Sequence, residues 1–295
     1  MNTLSGEHTA IQDTLLRDVP RAPAFIVTIY GDVVEPRGGA LWIGTLIECC
    51  GRHGLNETLV RTAVSRLVAS GNLEGVRIGR KSYYHLSESA REEFREAARL
   101  LFLPSPDARD WLLSLTGAGD LPPPWMRLSP TVAIAPNRDD VAPVDGVLMR
   151  AEQIGAHGDL RSLAREKWAL DDVARAYEAF LERHQSLLDG RGTVSSLSPE
   201  EALARRLRLV HDYRHAALKD PGLPRGACPT DWPAERARRL FVTVYLGLSA
   251  MADEFVGETF LNDNGALSSR TDETERRLAR LESEAAAWDR AEVLV

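Results

Sequence analysis

Cysteine is scarce in this sequence: Cys49, Cys50 and Cys228 are the only three in 295 residues. Neighbours in sequence rarely bridge and an odd count leaves one thiol over, so a disulfide framework is not expected. No C-x-x-C occurs, which removes the spacing of a zinc ribbon or a thioredoxin-type site. The phosphate-cradling patterns G-x-G-x-x-G and G-x-x-x-x-G-K-[ST] are missing, as is the nucleophile elbow G-x-S-x-G. No window approaches the ~20 apolar residues of a membrane span. The opening residues, MNTLSGEHTAIQDTLLRD, lack the basic start and apolar run of a secretory signal. A cytoplasmic protein with no membrane partner is the expectation. Lysine is rarer still in proportion: Lys81, Lys167 and Lys219 stand among 36 basic residues, so nearly all positive charge is arginine.

What is present suits a globular chain. Hydrophobic residues make up 44% and charged residues 27%, enough to bury a core. The length suggests about two or three units at roughly 100–200 residues each. Proline- and glycine-rich seams divide the chain into segments 20–103, 107–150 and 151–295, the first seam being Pro104-Ser105-Pro106. The middle segment holds the apolar runs Trp111-Leu112-Leu113 and Thr131-Val132-Ala133-Ile134, which read as strands. The last segment reads as helical, broken at Gly190-Arg191-Gly192 and again from Lys219-Asp220-Pro221-Gly222 to Pro233. Its final helix carries Asp272 before Arg276 and Glu273 before Arg277, the stabilising order of acid and base.

The first segment is the most informative. Phe25, Ile26, Ile29 and Tyr30 recur at helical spacing, and so do Leu41, Trp42, Thr45, Leu46 and Cys49, which puts Cys49 inward and Cys50 outward. Asn56 is a fitting N-cap for a third helix with the stripe Leu59, Val60, Ala63, Val64, Leu67 and Val68, and Gly71 fits its end. Leu73–Ile78 and Ser82–Leu86, joined at Gly79-Arg80-Lys81, read as a hairpin, and Ser87 caps a further helix. Helix, helix, helix, hairpin, helix is the order of a winged helix-turn-helix. The fold class expected for the chain is α+β, mostly helical.

Net charge is −7, yet residues 52–83 hold six bases against two acids, a local +4. A basic segment on an acidic chain is the footprint of a DNA binder. Thr58, Arg61, Thr62, Ser65 and Arg66 occupy the polar face of the third helix, and Arg77, Arg80, Lys81 and Tyr83 lie in the hairpin. These are side chains that reach base edges or phosphates. Singly, an arginine-bearing helix face is most often a solvated one, and Arg61 has Glu57 one turn earlier as a partner.

Tyr30-Gly31-Asp32, Arg37-Gly38-Gly39 and Leu41-Trp42-Ile43-Gly44 resemble the N-terminal block of PaaX-type repressors of phenylacetate catabolism. So do Val60–Leu67 and Arg77–Ser87. Downstream, His211-Asp212-Tyr213-Arg214, Leu218-Lys219-Asp220-Pro221, Leu223-Pro224 and Asp231-Trp232-Pro233 carry the resemblance on, which spans about Ala24 to Val256. It implies an N-terminal winged helix, a ferredoxin-like central domain and a helical C-terminal domain for effector binding and dimerisation. It further implies a homodimer on operator DNA, released by an aryl-CoA thioester such as phenylacetyl-CoA, with no cofactor and no catalysis. Only Gly117 to Arg127 separates the two central apolar runs, too short for the basic helix the family places there, so the central domain is expected to be shortened.

A CoA ester needs cations for its phosphates and an apolar slot for its acyl group. Trp168, Arg205, Arg208, His211, Tyr213 and Arg214 are the candidates, although Trp168, with Tyr177 and Phe180, also has the spacing of core. His211 and His215 are four apart, a weak metal pair without further ligands. Three rival readings are a regulator of another pathway with another ligand, a metal-dependent nucleic-acid-processing enzyme, and a protein-interaction module with no DNA activity.

Overall fold

A computed structural model of the protein describes residues 18–104, 108–115, 119–154, 159–188 and 196–293. The opening segment, part of the first seam and the break at Gly190-Arg191-Gly192 lie outside the described residues. The architecture is α+β and mostly helical, with small antiparallel sheets.

Helix α1 (Ala22–Ile29) carries Pro23 in its first turn, where a fixed φ and a missing N–H are tolerated. It runs into a π-helical turn, Tyr30–Val34, and a 3₁₀ turn, Glu35–Arg37, that ends at left-handed Gly38. Strand β1 (Ala40–Trp42), helix α2 (Ile43–Gly51) and helix α3 (Glu57–Ala69) follow. Asn56 caps α3 by accepting from the Leu59 N–H at 2.9 Å. Strands β2 (Leu73–Ile78) and β3 (Lys81–Leu86) form the hairpin, and Ser87 caps helix α4 (Glu88–Phe102) through the Ala90 N–H. The sheet order is β1-β3-β2.

The helical spacing over Leu41–Cys49 overran its start. Ala40, Leu41 and Trp42 pair with His85, Tyr84 and Tyr83 as a third strand, and the helix begins at Ile43. The later start sets the inner stripe as Ile43, Leu46 and Cys50. Cys50 is therefore the fully buried thiol and Cys49 the half-buried one, the reverse of expectation.

The middle of the chain forms a four-stranded sheet of β4 (Trp111–Leu115), β5 (Met126–Ser129), β6 (Val132–Pro136) and β7 (Val147–Ala151), in the order β5-β6-β4-β7 and antiparallel throughout. Both apolar runs are strands. One apolar cluster joins Trp111 and Ile134 to Ala164, Trp168, Leu170, Leu223 and Cys228; another gathers Trp125, Ala133, Ala135 and Val141. The remaining helices are α5 (Leu160–Lys167), α6 (Leu170–His184), α7 (Pro199–Ala217), α8 (Ala234–Thr259) and α9 (Asp272–Val293), with a short pair β8 (Leu261–Asn262) and β9 (Gly265–Ala266) before the last.

The chain divides into two compact units that ignore sequence order. The first takes the chain up to Leu103, Phe180–Arg214 and the chain from Arg236; the second takes Pro104–Ala179 and His215–Glu235. Contrary to the expectation that no window approaches a membrane span, α8 is, among the described residues, the one helix long and apolar enough to cross a membrane. It buries Leu240, Phe241, Val244, Leu248 and the charged Asp253 within the first unit, as a core helix does.

Candidate nucleic-acid interface

Thr58, Arg61, Thr62, Ser65 and Arg66 are all exposed on α3, while Val60, Ala63, Val64 and Leu67 are buried. The stripe that packs the helix thus turns the polar set outward. Arg61 Nε donates to Glu57 at 2.7 Å, as the spacing suggested. Arg77, Arg80 and Lys81 are exposed at the hairpin end, where Ile78 pairs with Lys81 across the two-residue turn Gly79-Arg80. Arg77 Nε donates to the Gly79 carbonyl at 3.3 Å, and Lys81 Nζ sits 4.7 Å from the centre of the Trp42 ring. Arg66 and Arg80 make no ion pair in the described structure, which leaves both guanidiniums available. Tyr83 differs from the rest of the set: it is buried, opposite Trp42 on one side and Val76 on the other.

Beneath this surface the first unit holds a buried charge network that sequence reading missed. Asp32, in the π turn, accepts from Arg206 Nε at 3.0 Å, from the Tyr245 hydroxyl at 2.8 Å and from Arg277 at 3.3 Å. Asp253 accepts from both Arg206 and Arg37 at 2.6 Å. Burial works against the Arg206 charge, but Asp32, Tyr245 and Asp253 outweigh it and hold the group protonated. Burial, with the Asp32 charge, pushes the Tyr245 phenol up to about 12, so it remains a donor. Arg277 does not pair with Glu273; it is buried over the Phe102 ring at 3.8 Å, and Glu273 takes Arg276 instead. The only advance signal was the presence of Tyr30-Gly31-Asp32 and Arg37 in motifs, with no hint of their partners.

The proposed effector residues fall in two places. Trp168 lies in the second unit, in the apolar cluster with Trp111, its Nε1 donating to the Pro124 carbonyl at 2.8 Å. The other five lie in the first unit. Arg208 is buried and bonded to Asp212 at 2.9 Å. His211 meets the Thr28 hydroxyl at 3.1 Å, and Tyr213 stacks on Phe241 with centroids 4.2 Å apart. Arg205 and Arg214 are half-buried, and burial lowers both. Burial pushes the Asp212 carboxyl up, but the His184 hydrogen bond and the Arg208 and Arg183 guanidiniums prevail and hold it well below the usual carboxylate range. The matched His211-Asp212-Tyr213-Arg214 motif therefore works largely inward. Among the described residues no group of His, Cys, Asp and Glu is placed to hold a metal, and His215 faces Lys219 at 3.1 Å.

Comparison with known proteins agrees with the two motif blocks. Residues 21–90 match the family model of the PaaX-like protein, and residues 168–258 match that of the PaaX-like protein C-terminal domain. The chain is 31% identical over 262 residues to the transcriptional repressor PaaX of Escherichia coli (strain K12), covering 80% of this chain and 83% of that protein. The chain belongs to the PaaX-like family. A solved structure, the uncharacterized protein Rv0674 from Mycobacterium tuberculosis, is 19% identical with a TM-score of 0.44, covering 72% of this chain and 89% of that one. The PaaX-like family is one of transcriptional repressors and not of enzymes, which sets aside the nucleic-acid-processing enzyme considered above.

Proposed function

We propose that this PaaX-like chain is a DNA-binding transcriptional repressor that acts as a homodimer on an operator and is released by an aryl-CoA thioester, phenylacetyl-CoA being the first to try. Residues 20–103 are the winged-helix reader, with α3 in the major groove and the Gly79-Arg80 turn on the flanking backbone. Residues 107–150 are a shortened ferredoxin-like domain, and residues 151–295 carry effector binding and dimerisation. Supporting the middle assignment, the order β5-β6-β4-β7 is that of a βαββαβ sheet, and no helix is assigned among the described residues of its connections. The observation that carries the reading is the exposed Thr58, Arg61, Thr62, Ser65, Arg66 face beside the exposed Arg77, Arg80, Lys81 turn, on a chain of net charge −7.

The test is fluorescence anisotropy on DNA from upstream of the neighbouring operon, at two salt concentrations, with and without phenylacetyl-CoA. Binding that is tight, weakens with salt and is abolished by the thioester is the expected result. Salt-insensitive association, or none, contradicts it. A PaaX-like regulator answering another ligand is the second reading. The inward engagement of Arg208, His211 and Tyr213 favours it, and binding indifferent to the thioester would select it.

A further inference from the structure

The polar face of α3 is not uniform. At about 100° per residue, the buried stripe of Val60, Ala63, Val64 and Leu67 fixes a line opposite it, and Thr58, Thr62 and Ser65 lie within about 30° of that line. Arg61 and Arg66 stand about 70° from it, on opposite sides. All five are exposed, so they differ in direction and not in burial. Hydroxyls and methyls hold the middle of the face, and a guanidinium flanks each side.

The bonding of these side chains follows the same division. On other helices hydroxyls bond back to a carbonyl one turn earlier: Thr28 to Ala24 at 3.2 Å, Ser249 to Tyr245 at 2.7 Å and the exposed Thr259 to Phe255 at 2.6 Å. Among the described residues the hydroxyls of Thr58, Thr62 and Ser65 have no partner, which leaves each able to donate and to accept. Arg61 is drawn away from the middle. Its Nε donates to Glu57 at 2.7 Å, and Glu57 lies farther still from the central line.

A helix about 10–12 Å across fills a major groove about 12 Å wide. Side chains opposite its packed stripe then meet base edges on the floor, and those to either side meet the phosphates of the two walls. Short hydroxyl side chains can bond to any base edge, and a Thr methyl packs on the C5-methyl of thymine. From Thr58 to Ser65 the helix rises about 10 Å, about three base-pair steps.

We propose that Thr58, Thr62 and Ser65 read the bases of the operator, with the Thr58 and Thr62 methyls set against thymine methyls. Arg61 and Arg66 clamp phosphates on the two walls and carry no sequence information. This assignment rests on the reading of α3 as the major-groove helix.

The full chain would be selected on a randomised duplex library. The enriched sequence would then be bound by anisotropy across a salt series, with each thymine in turn replaced by deoxyuridine, which lacks the methyl. Deoxyuridine at one or two positions should weaken the parent about fourfold each, the worth of one buried methyl. Thr58→Ser and Thr62→Ser, which keep the hydroxyl, should each erase that discrimination at one position. Ser65→Ala should relax the choice of base at a neighbouring position. Arg61→Gln and Arg66→Gln should weaken all sequences alike, lower the salt slope by about 1 each, and enrich the same sequence as the parent. Deoxyuridine tolerated at every position overturns the assignment. So does an Arg61 or Arg66 variant that loses a preference for guanine. A parent chain that enriches no sequence refutes the repressor reading itself, an outcome distinct from either of those two.

Discussion

Asp32 and Asp253 sit among three buried arginines, and that arrangement has a sharp energetic signature. Replacing both partners of a buried pair by apolar groups can be nearly neutral, but removing one leaves a charge stranded. Asp32→Ala should therefore destabilise the protein by about 3–5 kcal/mol in urea unfolding. Glu57→Ala, which removes the exposed partner of Arg61, should cost under about 1 kcal/mol. Arg66→Ala and Arg80→Ala should leave stability within about 0.5 kcal/mol while weakening operator binding. A salt slope reduced by about 1 would identify the lost contact as a phosphate, read by anisotropy across a salt series. His53 gives a pH dependence of fixed sign. Burial pushes its folded value down to about 3, below the unfolded value of about 6.5. The unfolded chain thus takes up a proton that the native ring refuses, and stability, full above about pH 6.5, falls by about 1.4 kcal/mol per pH unit below it. Between pH 7 and pH 5 the parent should lose about 2 kcal/mol more than His53→Phe, measured by urea unfolding at both values. Asp212, held low, acts in the same direction at more acid pH: its contribution is present above about pH 4 and is lost as pH falls toward its folded value.

At the scale of elements, the β2–β3 hairpin turns through Gly79 at φ +61° with open space around it. The backbone rather than packing sets the requirement there. Gly79→Ala should cost about 1 kcal/mol, and Gly79→Asn less, since Asn tolerates the left-handed region; thermal unfolding would rank them. The elements legible in the sequence are those whose causes are local. Asn56 and Ser87 announce their helices because a cap is one side chain and an N–H three residues on. The hairpin is legible because Gly79 and the apolar runs lie within a dozen residues. Strand β1 is not legible, because its partner Tyr83–His85 lies about forty residues away. The π turn at Tyr30–Val34 has no local signature either: its reason is Asp32, and the reason for Asp32 is Arg206, 174 residues on.

At the scale of the molecule, the candidate interface was readable and the core behind it was not. Arg61 and Arg66 are exposed because the apolar stripe of their own helix demands it, and the burial of Tyr83 was not legible because it depends on Trp42 in another strand. Arg208 read as a cation for a CoA ester because α7 is locally rich in arginine; its acid is Asp212, one turn on, and nothing local announced that nearby Arg206 takes Asp32 and Asp253 from other helical segments. The division into two units follows the same logic. The first unit draws on three separate stretches of chain, and Phe25, Thr28, Asp32 and Arg37 all take partners from the later two. A fragment ending at Leu103 would leave Asp32 without its cations and Phe25 without His211. It should give the narrow amide dispersion of an unfolded chain in a ¹H–¹⁵N spectrum, where the full protein gives a dispersed one.

That interleaving has a genetic consequence. Many DNA-binding regulators yield dominant-negative alleles, because an early stop codon releases a reading head that still occupies its site. Here Arg277, from the last helix, closes the shell around Asp32, so a message cut anywhere before α9 encodes a product that lacks a finished core. Nonsense alleles across the gene should then be recessive and equivalent to deletion, and only substitutions on the exposed faces should generate competitors of the intact protein.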